Sequence, residues 1–306
     1  MPSQASGHLI ALFTVFIWGT TFISTKVLLV DFLPIEILFY RFLIGMCAMF
    51  VIYPRLMGFK SLKEESYFAL AGLFGITLYF LFENIALTYS LASTVGILIS
   101  VVPFFTAIVN RFFGSREHLQ LHFFVGFIFA ICGIVLMSLN TIELSINPLG
   151  DFLALLAALS WAFYSLLIKK ACSFGYSNLQ VTRCVFAYGL VLMIPMMYLM
   201  DFKFDLGRFS SLLNSFNILY LGVGASAICF VSWNVSLKIL GVVKASAYIY
   251  AIPVITVISA MIILHERLTV LSSFGIVMTL LGLFISESNT LWARIFRRSK
   301  KAVAKE

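Results

Sequence analysis

The feature that most constrains this chain is a series of long apolar runs that follow one another along almost its whole length. Between Ser66 and Asn110, for example, Glu83 is the only charged residue. A membrane-spanning helix needs about 20 mostly apolar residues, so this run is too long for one helix and long enough for two. Only 11% of the 306 residues are charged, whereas a soluble domain carries about 25%. The chain is therefore expected to be an all-α integral membrane protein.

Dividing the apolar runs at charged and turn-forming residues predicts ten transmembrane helices. Their predicted ranges are 8–28, 34–53, 67–88, 92–112, 121–140, 149–168, 178–200, 216–237, 243–264 and 270–287. No signal peptide is predicted, because the first apolar run already has the length of a span and no Lys or Arg precedes His8.

The basic residues are concentrated on one predicted side of the membrane. If the N-terminus is cytoplasmic, 15 of the 21 Lys and Arg lie in inner loops or at inner helix ends and four lie outside, while Arg41 and Arg183 fall within helices. This is the positive-inside pattern. Both termini are therefore predicted to be cytoplasmic, with the protein in the cytoplasmic (inner) membrane. The net charge of +8 follows from this topology, so no nucleic-acid partner is expected.

Matched residues recur at equal spacings in the two halves of the chain. The matched pairs are Trp18 with Trp161, Lys26 with Lys169, Arg41 with Arg183, Asn84 with Asn234, Pro103 with Pro253, Glu117 with Glu266, Gly126 with Gly275, and Gly133 with Gly282. Residues 8–140 and 149–287 are therefore predicted to be homologous halves, followed by a basic cytoplasmic tail at 288–306. Five helices in each half would place the second half upside down. Such inverted repeats occur in secondary transporters, with the solute site where the halves meet.

Several motifs carry a family resemblance. They are "WGTTFISTK" in the first predicted helix, "ENIALTYSLASTVGILISVVPFFTAI" across the third and fourth, and "SREHLQ" and "HERLT" after the fourth and ninth. With the five-plus-five arrangement, they resemble the drug/metabolite transporter superfamily, EamA type, over essentially residues 8–287. The resemblance implies a ten-helix carrier of small metabolites, often an amino-acid exporter.

Ionisable residues inside the predicted helices are the first functional candidates, since charge there is costly and usually functional. Glu83 and Arg41 are predicted at similar depths, so they could face a wet cavity or form a structural ion pair; Glu36 is an alternative partner for Arg41. Glu83 aligns with Trp233, so the carboxylate occurs in one half only. We expect Glu83 to bind and release a proton during transport, with Arg41 and Arg183 as further coupling or gating residues.

Aromatic and amide residues near the middle of the helices are the candidates for solute binding. They are Trp18, Tyr79, Asn84, Trp161, Trp233 and Asn234, and the expected walls are helices one, three, four, six, eight and nine. Simple burial between helices is the alternative. Pro103 and Pro253 each remove a helical hydrogen bond, which predicts either a gating hinge or a packing kink.

Small residues recur at helical spacing in the fifth and tenth predicted helices. They are Gly126, Ala130 and Gly133 in the fifth helix and Gly275, Thr279 and Gly282 in the tenth. Such stripes allow helices to approach closely, so they are predicted to pack at the junction of the halves or of two protomers.

The sequence therefore favours a secondary transporter of a small organic metabolite. The alternatives are an intramembrane enzyme and a channel or scaffold protein. An enzyme would need clustered acids or histidines, which the apolar runs lack, and no phosphate-binding loop for ATP is found. The five cysteines have no C-x-x-C spacing, so neither a metal nor any other cofactor is expected. The expected partners are a small-molecule solute, protons as candidate coupling ions and the lipid bilayer, for a monomer or homodimer.

Overall fold

The computed structural model describes residues 4–55, 58, 61–114, 121–138, 147–265 and 270–287. Within these ranges the chain forms ten long helices. They are α1 (Gln4–Leu28), α2 (Pro34–Ile52), α3 (Leu62–Tyr89), α4 (Ala92–Phe113), α5 (Leu121–Ser138), α6 (Pro148–Phe174), α7 (Asn178–Leu199), α8 (Leu212–Leu240), α9 (Val242–Ile263) and α10 (Val270–Glu287). The matched residues Glu117 and Glu266 and the tail at 288–306 lie outside the described residues.

The helical fold class is confirmed, and each predicted range overlaps one observed helix. Eight of the helices, α1–α4 and α6–α9, are long and apolar enough to cross a membrane. The other two, α5 and α10, are 18 residues long each. The chain is therefore a multi-pass membrane protein, while the predicted number of ten crossings stays a prediction.

The third helix of each half contains a π-helical segment. In α3 this segment is Leu73–Leu78, and in α8 it is Tyr220–Ile228. π-Helical turns are rare and are found mostly as short insertions within α-helices, frequently at functional sites. The two segments lie at matching positions, because Leu78 and Ile228 are separated by the same 150 residues as Asn84 and Asn234. The internal repeat thus includes an irregularity of the backbone.

The fourth helix of each half changes its hydrogen bonding just before its proline. In α4 the N–H groups of Ser100 and Val101 donate to carbonyls three residues earlier, and in α9 a 3-10 turn covers Tyr248–Ala251. Pro103 and Pro253 are each at the beginning of the α-helical segment that follows. A proline at that position removes no helical hydrogen bond. Each proline therefore begins a new helical segment.

The two halves pack against each other reciprocally. Helix α1 packs on α8 and α9 of the other half, and its counterpart α6 packs on α3 and α4. The counterpart pairs α2 with α7, α4 with α9, and α5 with α10 also pack together. Exchanging the halves leaves this pattern unchanged, which is the pattern expected of repeats related by a two-fold axis.

Hydrogen bonds at the ends of α2 and α7 show that these equivalent helices run antiparallel. The Glu36 carboxylate, near the start of α2, accepts from the N–H of Lys203 just after α7, at 3.0 Å. Arg183, near the start of α7, donates to the carbonyls of Tyr53 and Arg55 just after α2. Equivalent helices of opposite direction are what an inverted repeat requires.

The segment between α7 and α8 is fastened to α2 by an ion pair. Arg208 donates to both carboxylate oxygens of Glu36, from Nη1 at 2.6 Å and from Nη2 at 3.1 Å. The Glu36 side chain is fully buried. This hydrogen bonding raises the pKa of the Arg208 guanidinium. The alternative partnership of Glu36 with Arg41 is therefore wrong, because the carboxylate is already occupied by Arg208.

The small-residue stripes of α5 and α10 face each other within one chain. A Cβ on Gly133 would lie 2.5 Å from the carbonyl oxygen of Gly275, and one on Gly282 would lie 2.5 Å from the backbone nitrogen of Ala130. Real Cβ contacts are essentially never this short. The stripes therefore join the two halves of the molecule.

Candidate functional site

A small cavity lies between the two halves, about halfway along the helices. Its lining residues come from α1, α3, α4, α6 and α9. They are Trp18, Thr21, Phe22, Tyr79, Phe80, Glu83, Ile99, Val102, Trp161, Ile249 and Ile252. The space open to the centre of a water-sized sphere is about 20 Å³. One water needs about 10–15 Å³ on this measure, so the cavity has room for one or two waters.

Tryptophan rings from three helices form one wall of the cavity and the layer behind it. The rings of Trp18 and Trp161 meet edge to face with centroids 5.1 Å apart. Tyr79 packs on Trp161 at 4.8 Å, and Trp233 packs on Trp18 at 5.1 Å. The aromatic cluster predicted around Trp18 and Trp161 is therefore present, although Trp233 lies behind Trp18 and does not line the cavity.

Two matched pairs of residues touch each other at this wall. Trp18 and Trp161 are one pair, and Phe80 and Phe230 are the other, with ring centroids 6.0 Å apart. Residues related by a two-fold axis can touch each other only if they lie on that axis. The cavity is thus next to the axis that relates the halves.

Glu83 is the charged residue of the cavity lining. Its side chain is 1% exposed. Tyr79, one helical turn earlier, lines the cavity beside it. The Oε1 atom has no hydrogen-bond partner among the described residues. This arrangement leaves one carboxylate oxygen available as an acceptor.

Arg41 is completely buried next to the π-helical segment of α8. Its Nε donates to the hydroxyl of Ser226 at 3.1 Å, and its guanidinium carbon lies 4.2 Å from the centroid of the Phe80 ring. Both Nη atoms lack hydrogen-bond partners within the described part of the chain. No ion pair between Arg41 and Glu83 is found among the described residues. In this conformation Arg41 therefore contacts α8 across the boundary between the halves.

Arg183 has a different environment from its counterpart Arg41. Its two terminal nitrogens bind carbonyls at the end of α2, and its guanidinium carbon lies 5.0 Å from the centroid of the Phe50 ring. It is not among the residues that line the cavity. Its predicted gating role stays a prediction, at the interface of α2 and α7.

The two asparagines hold neighbouring helices together. Asn84 donates from Nδ2 to the carbonyl of Pro34 at 3.0 Å, which joins α3 to the start of α2. Asn234 donates to the hydroxyl of Thr182 at 2.8 Å and accepts from Tyr164 at 3.3 Å, which joins α8 to α7 and α6. Neither asparagine lines the cavity. Their predicted contact with solute stays untested, and the buried Oδ1 of Asn84 has no hydrogen-bond partner among the described residues.

The predicted site omitted most of the apolar lining. Phe22, Phe80, Ile249 and Ile252 line the cavity beside the predicted residues. Helix α8, expected to form a wall, contributes only from behind, through Phe230 and the ring of Trp233. The one sequence feature that could have indicated these apolar residues is the match of Phe80 with Phe230 at the repeat spacing of 150 residues.

Comparisons with known proteins agree with this architecture. A model described as "EamA-like transporter family" matches residues 5–139 and 148–287. An "Uncharacterized transporter" from Archaeoglobus fulgidus is 27% identical over 290 residues, covering 91% of this chain and 96% of that protein. An Escherichia coli (strain K12) protein named "Probable amino-acid metabolite efflux pump" is 26% identical over 305 residues, covering 93% and 96%. A solved crystal structure superposes with a TM-score of 0.70 at 18% identity, covering 96% of this chain and 99% of that one, which shows a shared fold.

Proposed function

The chain belongs to the EamA-like transporter family, and from that premise we propose that it is a secondary transporter that moves a small organic metabolite across the cytoplasmic membrane by alternating access. The members of the family and the relatives named above are transporters rather than enzymes. The observation that carries the proposal is the small cavity between two matched halves, next to the axis that relates them. A site at that position can open to either side when the halves exchange conformations.

The proposed topology has ten crossings, formed by two five-helix repeats of opposite orientation. The antiparallel pairing of α2 with α7 and the reciprocal packing of the halves support it. The distribution of basic residues supports a cytoplasmic location for both termini. In this topology α3 ends and α6 begins on the outer side, in keeping with the contact between Ser90 and Asp151 at 3.4 Å.

The chemistry of the cavity supports an amino compound with an apolar or aromatic body as the solute. The free oxygen of Glu83 would accept from an ammonium group, and the faces of Trp18 and Trp161 would attract the same positive charge. The apolar part would pack on Phe22, Phe80 and their neighbours. The name of the Escherichia coli relative supports an amino acid or a related metabolite, and export as the direction.

A change of conformation is required for any such solute to enter. The space of about 20 Å³ is that of one or two waters, whereas an amino acid has several times as many heavy atoms as a water pair. The helices that line the cavity must therefore separate during transport. The breaks in α4 and α9 before Pro103 and Pro253 are at the cavity, where residues 99 and 102 of α4 and 249 and 252 of α9 form the lining.

We infer that Glu83 also couples transport to a proton gradient. It lines the cavity in one half only, since Trp233 occupies the matched position. A carboxyl group that is enclosed here and reaches water when the cavity opens would exchange a proton on that side. A proton and a solute competing for the same carboxylate would then give exchange of one for the other.

Transport by purified protein in lipid vesicles tests the proposal. Vesicles with and without the protein would be loaded with radiolabelled amino acids and amines, and their loss would be followed with and without a pH gradient. We expect protein-dependent efflux of at least one aromatic or apolar amino compound, accelerated by an opposing proton gradient. Loss at the same rate from vesicles without protein, over the whole panel, would contradict the transporter assignment.

A further inference from the structure

The two halves make matched contacts at the ends of their helices. Gly7 at the start of α1 packs on residues 239 and 240 at the end of α8, and its counterpart Gly150 at the start of α6 packs on residues 89 and 90 where α3 ends. The repeat spacing relates these contacts residue by residue. In the middle of the helices, three positions have contacts in one half that their counterparts in the other half lack.

The first difference concerns the indole nitrogens of the tryptophan pair. Trp18 donates from Nε1 to the carbonyl of Ala225 in α8 at 3.0 Å. The matched bond would run from Trp161 to the carbonyl of Gly75 in α3. Instead, Nε1 of Trp161 is buried without a hydrogen-bond partner among the described residues. The ring of Tyr164 packs so closely on Gly75 that a Cβ there would overlap it.

The second difference concerns a pair of threonines that follow the prolines. Thr256 in α9 donates to the carbonyl of Gly19 in α1 at 2.7 Å. The matched bond would run from Thr106 in α4 to the carbonyl of Ala162 in α6. The hydroxyl of Thr106 is likewise buried and lacks a partner in the described part of the chain.

The third unmatched group is the hydroxyl of Ser246, whose counterpart Gly96 packs on one of these threonines. Gly96 in α4 packs against the side chain of Thr256, so that a Cβ on Gly96 would lie 3.1 Å from its hydroxyl oxygen. The counterpart of Gly96 is Ser246, which would lie against Thr106 if the matched contact were made. The hydroxyl of Ser246 is also buried and unpartnered among the described residues.

Buried donors without partners are costly in a membrane protein, because no water within the bilayer can satisfy them. Here the orphaned groups of α6, α4 and α9 are the counterparts of groups that are bonded or closely packed in the other half. Helix α1 is thus docked on α8 and α9 by side-chain hydrogen bonds, whereas α6 lies against α3 and α4 without the equivalent bonds.

We propose that Trp161 and Thr106 are the hydrogen-bond donors of a second conformation, in which α6 docks on α3 and α4 as α1 now docks on α8 and α9. In that conformation Trp161 binds the carbonyl of Gly75 and Thr106 binds that of Ala162, while the bonds of Trp18 and Thr256 open. Tyr164 must leave Gly75 for this to happen, and its hydrogen bond to Asn234, at 3.3 Å, is a long one.

This inference deepens the proposed function and rests on it. Each conformation would contain one hydrogen bond donated by a tryptophan and one donated by a threonine, while the two matched hydrogen bonds of the other half would be absent. Because the same number of bonds is made in both, the two conformations would be close in free energy, which is the condition for a solute to shift the population between them.

Matched threonine variants test the proposal. The reporter is the thiol introduced by Val102→Cys in the cavity lining, in full-length protein whose five native cysteines are replaced. Its rate of modification is measured in inside-out and in right-side-out vesicles, and the ratio of the two rates reports the conformational equilibrium. Thr106→Val and Thr256→Val remove the hydroxyl at nearly constant volume. We expect them to shift this ratio in opposite directions, each by about three- to tenfold, the effect of one buried hydrogen bond.

The controls separate this proposal from general damage and from the transporter assignment. Thr106→Ser keeps the hydroxyl and should restore the parent ratio, while Trp161→Phe and Trp18→Phe should repeat the opposite shifts. A parent ratio in Thr106→Val, or shifts of the same sign in both threonine variants, would overturn the exchange of bonds even if solute is still transported. A parent protein that transports nothing and whose thiol is modified from neither side would overturn the proposed function, and this proposal with it.

Discussion

At the scale of single residues, Glu83 has the surroundings that most limit what the cavity can do. It is a buried carboxylate in a cavity lined by aromatic rings, and its Oε1 has no hydrogen-bond partner among the described residues. A group with those neighbours can accept from a solute, accept a proton, or do each in turn. Its chemistry can be separated from its shape by substitution.

Glu83→Gln should abolish the pH dependence of transport while solute still binds. The amide has almost the same shape as the carboxyl group, but it does not titrate. The measurement is uptake as a function of pH in lipid vesicles, together with the thermal unfolding temperature. Glu83→Asp, which keeps the carboxylate, is the control and should retain part of the activity. If Glu83→Gln keeps the parent pH profile and only unfolds at lower temperature, Glu83 is a structural residue.

Trp18→Ala and Trp161→Ala should each impair transport about two- to thirtyfold. Each removes an aromatic face from the cavity, and stacking or cation–π contacts of this kind contribute about 0.5–2 kcal/mol apiece. Transport rate and expression level would be measured for both. Tyr198→Ala is the matched control, because Tyr198 is an aromatic residue of α7 that is 88% exposed. Normal transport by both tryptophan variants would rule out the aromatic-lined site.

The depth of a residue along its helix could be predicted from the sequence, whereas the contacts of its side chain with other helices could not. The depth of Trp18, Tyr79, Glu83 and Trp161 follows from helix length, and all four line the cavity. The direction in which a side chain points depends on neighbouring helices. For this reason the contact of Arg41 with Ser226, 185 residues away, could not be predicted.

At the scale of elements, the pair α5 and α10 depends on residues without bulky side chains. Gly133→Ala should lower the thermal unfolding temperature markedly, because the added Cβ would lie 2.5 Å from backbone and side-chain atoms of α10. Overpacking of this kind costs about 1–3 kcal/mol. Gly224→Ala is the matched control, since a Cβ there lies an ordinary 3.5 Å from its nearest neighbour, the Tyr220 ring. Equal unfolding temperatures for the two variants would contradict the close approach of α5 and α10.

The ends of the helices could be predicted to within six residues, because the length of a span and the turn residues between spans are properties of the sequence alone. Two of the differences have clear causes. Helix α3 begins at Leu62, five residues before its predicted start, because Ser61 accepts from the N–H of Glu64 and caps a polar first turn. The π-helical segments left no pattern in the apolar runs, because inserting a residue changes their length and not their composition.

At the scale of the whole molecule, the orientation in the membrane is the property to test. Ser173, in the last turn of α6, and Ser210, between α7 and α8, are both exposed and should lie on opposite sides of the membrane. In protein without native cysteines, the thiol from Ser210→Cys should react with a membrane-impermeant reagent added outside intact cells. The thiol from Ser173→Cys should react only after the cells are opened. The reverse result would place the termini outside.

The π-helical segments of α3 and α8 also indicate whether the insertion that formed them came before or after the duplication of the half. Both end at the same repeat position, Leu78 and Ile228, so a single insertion in an ancestor of five helices accounts for both. That insertion must then be older than the duplication that joined two copies into one chain. If the second half is inverted in the membrane, as proposed, that ancestor would have had to enter the membrane in both orientations, so that two separate copies could meet as α1–α5 and α6–α10 now do.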